Sequence, residues 1–142
     1  MRSLLDVNVL IALLDANHTA HEAARAWFTK HAGEGWASCP ITQNGCVRIL
    51  SHASYPGSHP VAEVVTRLRD ATAHDSHEFW PDDVSLLDDQ RVDPTRVHGP
   101  RQLTDAYLLA LAVAHGGRLV TFDGAVPLAA VKGATRDSLL SL

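Results

Sequence analysis

Leu4-Leu5-Asp6-Val7-Asn8-Val9-Leu10-Ile11-Ala12-Leu13 is the stretch on which the reading of the fold turns. Arg2–Leu5 reads as a short buried strand that stops at Asp6. Asp6 can then cap a helix over Val7–Leu14, which is apolar on nearly every side and so must be buried. A buried strand running straight into a buried helix is the opening of an α/β unit, in which helices cover both faces of a parallel sheet. The run carries Asp6 and Asn8, ends at Asp15, lacks a long basic flank and a cleavage motif, and is too short to cross a bilayer. It reads as core, not as a leader.

The alternation continues outward from there. A loop at Asn17–Thr19 precedes an amphipathic helix over Ala20–His31, with Ala24, Trp27 and Phe28 on one stripe. Gly33 and Gly35 break it, Trp36–Cys39 reads as a second strand, and Pro40 opens a helix that runs to about Ser51. The turn-rich Tyr55–Pro60 leads to a helix over Val61–Ala73 and a third strand at His77–Trp80. Pro81–Pro100 is long and polar for a connection, the kind of segment that carries function or partner contacts. Thr104 is expected to cap the strongest helix, Asp105–His115, which stops at Gly116–Gly117. Arg118–Thr121 is a short apolar strand with a turn at Phe122–Gly124, and the tail from Val126 is weakly patterned. The whole predicts an α/β domain with a mostly parallel sheet.

The chain has 142 residues, the size of one domain. At that length about 68–70 % of the unfolded surface is buried, so neither disulfides nor a structural metal are needed to fold. The formal net charge of −4 excludes a protein that coats nucleic acid through an overall basic surface. Contacts with nucleic acid must come from a local patch. Cys39 and Cys46 match neither a zinc pair nor a redox motif, and read as buried thiols in a reducing cytosol.

Ligands of an open α/β sheet sit in the crevice beyond the carboxyl ends of its strands. Asp6 follows one strand, Asp123 follows another, and Asp105 lies in the first turn of the helix that precedes the second. Taken singly, Asp6 reads as a cap and Asp123 as a turn residue. Taken together, three carboxylates are aimed at one rim. Two like charges 4 Å apart repel by about 4 kcal/mol at an effective dielectric near 20, so a proton or a cation must neutralise the cluster. Oxygen ligands without His or Cys favour Mg²⁺, or Mn²⁺, over zinc. Asp105 would also sit at the positive end of a helix dipole, which should hold it ionised.

These residues also carry a resemblance. Leu4–Leu13 is similar to the opening of PIN domains, Leu103-Thr104-Asp105-Ala106-Tyr107-Leu108 resembles their third acidic motif, and Gly117-Arg118-Leu119-Val120-Thr121-Phe122-Asp123 resembles the fourth. The length, the His18–His21 helix start and the segment Cys39–Thr42 resemble the VapC-type toxins in particular. The resemblance implies a three-layer fold and an Mg²⁺-dependent endoribonuclease in which Asp6, Asp105 and Asp123 hold the metal. It further implies products with 5′-phosphate and 3′-hydroxyl ends, a homodimer and a cognate antitoxin, while the two unpaired thiols point to a cytoplasmic location. Asn8 and Thr121 would orient the carboxylates.

One departure stands out. PIN domains usually place a Glu just after the second strand, where this chain has Gln43 or Asn44. Either amide oxygen can still hold a metal or its water, with one negative charge fewer. Among the cations, Arg101 is the first choice for a phosphate contact, ahead of Arg48 and Arg96. His18 and His21 lack a third metal ligand and read as solvent-facing. Trp27, Trp36 and Trp80 read as core or dimer contacts. Two other functions fit parts of the pattern: a PIN-like module that binds RNA or protein without cutting, and a phospho-receiver domain. The second lacks an acidic neighbour for Asp6 and a lysine after a late strand.

Overall fold

Five strands, Ser3–Leu5 (β1), Trp36–Ser38 (β2), His77–Phe79 (β3), Arg118–Thr121 (β4) and Leu139–Ser141 (β5), form one sheet in the computed structural model, which describes residues 1–142. Every pairing is parallel, in the order β3-β2-β1-β4-β5. Helices Val7–Leu14 (α1), His21–His31 (α2), Pro40–Leu50 (α3), Val61–Thr72 (α4) and Leu103–Ala114 (α5) cover it. The architecture is the three-layer α/β fold that the alternation and the resemblance predict.

The strand pleat sorts side chains between two cores. Leu4, Ala37 and Leu119 turn towards α5, whose residues 106–112 are all buried. Leu5, Trp36 and Val120 pack on the opposite face against Val9, Cys46, Leu50 and Val64 of α1, α3 and α4. β1 lies in the middle and its three residues are buried, so the apolar opening of the chain is the spine of the molecule. Cys39 and Cys46 are free and buried, and burial pushes the Cys46 thiol up to about 12, which leaves it inert.

Several boundaries differ from the sequence reading. α5 begins at Leu103, after a 3₁₀ turn at Pro100–Gln102, so Thr104 lies inside the first turn and caps nothing. β3 ends at Phe79; Trp80 still donates its backbone N–H to the Ser38 carbonyl at 2.9 Å while its ring stacks on His115 at 4.6 Å. The weakly patterned tail supplies β5, a three-residue, half-exposed edge strand too short to show alternation. The long connection is pinned to that tail: Asp93 N–H donates to the Ala130 carbonyl and Lys132 N–H to the Arg91 carbonyl, both at 2.8 Å. No helix is long and apolar enough to cross a membrane.

Candidate active site

From β1 the chain builds outward to β2 and β3, then returns to the far side of β1 for β4 and β5. Parallel α/β sheets open a crevice at such a reversal, beyond the carboxyl ends of the strands. Here the reversal lies between β1 and β4. The residues just past those two strands include Asp6 and Asp123.

Asp6 is only 7 % exposed. Its Oδ1 accepts the Val7 N–H at 2.7 Å and its Oδ2 accepts the Thr121 hydroxyl at 2.7 Å. Thr121 Oγ1 in turn accepts from Asn8 Nδ2 at 3.1 Å and from the Asp123 N–H at 3.0 Å. A hydroxyl offers one proton and two lone pairs, so Thr121 is fully committed. Asn8 is held from its other end, where Oδ1 accepts the Phe122 N–H at 3.2 Å. The structure therefore joins Asp6, Asn8, Thr121 and the Asp123 backbone in one network. The cap and turn readings hold alongside it: Asp6 caps α1, and Asp123 Oδ1 accepts the Ala125 N–H at 2.8 Å.

Asp105 is the third residue of α5 and half-buried. Burial, then the charges of Asp6 and Asp123, push its carboxyl up to about 6. This reverses the expectation that the helix dipole would hold it ionised. A partly exposed helix end contributes about 0.3–1 kcal/mol, less than burial and two neighbouring carboxylates take away. Burial also lifts Asp6 above the usual carboxylate range, against the hydrogen bonds from Thr121 and Val7 and with help from the charge of Asp123. The three acids thus feel one another. Even so, no three His, Cys, Asp or Glu side chains form a finished ligand set; Asp6 accepts from Thr121 and Asp123 from the Ala125 N–H. Mutually repelling oxygen donors suit a hard dication.

The remaining candidates fall in different places. Gln43 does not join the acids: its Nε2 donates to Ser38 Oγ at 2.9 Å, and it lines a groove against α4 with Arg69 and Thr72. Ser38 Oγ is itself 2.8 Å from His77 Nε2. Asn44 lies in the same groove. Arg101 is exposed in the 3₁₀ turn leading into α5, whereas Arg96 is paired with Asp93 at 3.4 Å. His18 and His21 are not free surface groups: His18 Nδ1 accepts the Ala20 N–H at 3.0 Å, and His21 Nδ1 donates to the Ala12 carbonyl at 2.7 Å. Trp36 and Trp80 are buried and Trp27 half-buried. The sequence reading passed over Gln102, which accepts the His98 N–H at 2.8 Å and donates to the Ala125 carbonyl at 3.2 Å. Nothing in its local pattern marks it.

A family model described as PIN domain matches residues 3–132, and the chain belongs to the PIN-domain family. Over 142 residues it is 56 % identical to Ribonuclease VapC44 of Mycobacterium tuberculosis, covering 100 % of both chains. It is 47 % identical over 134 residues to Ribonuclease VapC39 of the same organism, covering 94 % of this chain and 96 % of that one. Within the family it is thus of the VapC type. Among solved structures, VapBC2 from Rickettsia felis bound to a DNA fragment from their promoter shares the fold, with a TM-score of 0.56 at 13 % identity over 87 % of this chain and 89 % of that one. The phospho-receiver reading falls away with this match, and Lys132 is occupied with the Asp89 carbonyl in the long connection.

Proposed function

We propose that this protein is an Mg²⁺-dependent endoribonuclease, able to use Mn²⁺, that cleaves RNA phosphodiesters and serves as the toxin of a toxin–antitoxin pair. One observation supports the reading: beside the sheet reversal, Asp6 and Asp123 lie near enough to Asp105 for their charges to raise its carboxyl, in a chain 56 % identical to Ribonuclease VapC44. Asp6, Asp105 and Asp123 would hold the cation, which supplies a bound water of lowered pKa and neutralises charge on the phosphate. The chain's own groups prepare the place. Thr121, steadied by Asn8, fixes the Asp6 carboxylate before anything binds. Arg101, at the entrance to α5, is free to pair with a backbone phosphate. Homodimer formation, an antitoxin partner and a cytoplasmic location belong to the same reading.

Cleavage of bulk RNA tests it. Activity should require Mg²⁺, vanish in EDTA, and be lost in Asp6→Asn, Asp105→Asn and Asp123→Asn. Full activity in Asp105→Asn would sink the site as drawn. A second reading, a PIN module that binds without cutting, is favoured by α3, which carries no carboxylate and whose Gln43 amide is turned to Ser38. Absence of metal-dependent cleavage by the intact chain would decide for it.

A further inference from the structure

Between β3 and α5 the chain leaves a pocket of about 160 Å³, walled by Leu86, Val92, Pro94, Val97, Pro100 and Leu103. Every side chain lining it is apolar, and two of them are proline rings. The volume is below the roughly 300 Å³ at which pockets take drug-sized ligands, and suits a single ring system. The pocket is tied to the acidic rim in two ways. Leu103 shares the first turn of α5 with Asp105. Gln102, next to Leu103, donates to the carbonyl of Ala125, the residue whose N–H holds Asp123. The turn that forms one wall also carries Arg101, exposed and with no acidic partner.

Resting on the ribonuclease reading above, we propose that this pocket receives one nucleobase beside the bond that is cut and so gives the enzyme its sequence preference. Binding led by phosphates positions the strand and leaves sequence to be read from the bases. With the scissile phosphate at the acidic rim and a neighbouring phosphate on Arg101, an adjacent base meets an apolar lining against which its faces can pack. An unpaired arginine beside a lining without acids favours an anionic strand over a basic peptide. Gln102 is then a positioning residue, holding the pocket at a set distance from Asp123.

The test uses the intact chain and a synthetic RNA that it cuts at one bond, remade as a series with one abasic nucleotide at each position. At a single position beside the cut, the missing base should raise KM roughly tenfold with kcat unchanged, since its binding is shared by the ground and transition states. Leu103→Trp, which fills the pocket, should raise KM on the normal RNA by a similar factor and erase the abasic effect. Leu103→Ala keeps a strong helix former in α5 and should shift KM the same way by less, and it decides the matter if the Trp variant misfolds. Uniform KM across the abasic series overturns the pocket and leaves the ribonuclease standing, whereas a chain that cuts no RNA overturns both. An abasic penalty unchanged in the Leu103 variants overturns it too. So does a Leu103→Trp chain that loses its protein partner while cutting RNA as before, which would assign the pocket to a peptide.

Discussion

Replacing Thr121 by Val removes one hydroxyl and strands three groups: Asp6 Oδ2, Asn8 Nδ2 and the Asp123 N–H. Thr121→Val should lower kcat/KM about 10–100-fold, the usual cost of losing a group that orients a metal ligand, and cost about 1–3 kcal/mol in urea melts. Thr121→Ser keeps the hydroxyl and should keep most of both; equal losses in the two variants would deny the network its role. Asp105 gives a pH signature. Its carboxyl rises from 3.8 to about 6 on folding, so the native state binds that proton more tightly than the unfolded chain. In EDTA its stabilising share is complete below 3.8, fades as pH rises through about 6, and is gone above. Subtracting the Asp105→Asn melting profile from that of the wild type should isolate this slope, and parallel profiles would rule it out. The positions of the three acids, Asn8 and Thr121 in the fold were legible because strand ends and a helix start fix them. Gln43 was not, because one step along a helix swings a side chain by about 100°, and pattern alone does not say which residue of a first turn faces the site.

At the scale of elements, α1 and α3 cross where Gly45 meets Val7. A Cβ at Gly45 would stand 2.7 Å from Val7 Cγ2. Gly45→Ala gains about 1 kcal/mol of helix propensity, but the overpacking against Val7 costs about 1–3 kcal/mol. The expected result is a net loss of melting temperature together with reduced activity, because Val7 is the residue whose N–H holds Asp6. Val7→Ala should restore both in the double variant; a loss that persists would place the strain elsewhere. The helices were readable from their period, and β1 and β4 from their apolar runs. β5 and the start of α5 were hidden for physical reasons. A three-residue edge strand shows no period, and Thr104-Asp105 imitates a cap while Pro100 starts the turn two residues ahead of Gln102.

At the scale of the whole molecule, the toxin assignment predicts that expressing this chain alone arrests growth and that co-expressing the small protein encoded beside it restores growth. Asp6→Asn should be harmless throughout, and the two proteins should copurify. Growth unaffected by a chain that still cuts RNA would remove the toxin and leave the nuclease. The sheet order has one more consequence. The hydroxyl that orients Asp6 is made 115 residues after it, across the β1–β4 seam. At about 5–20 residues per second of synthesis, the first carboxylate waits many seconds for its partners. A fragment that stops short of β4 therefore lacks the hydroxyl that holds the Asp6 carboxylate, and the rim is assembled only when both sides of the seam have been made.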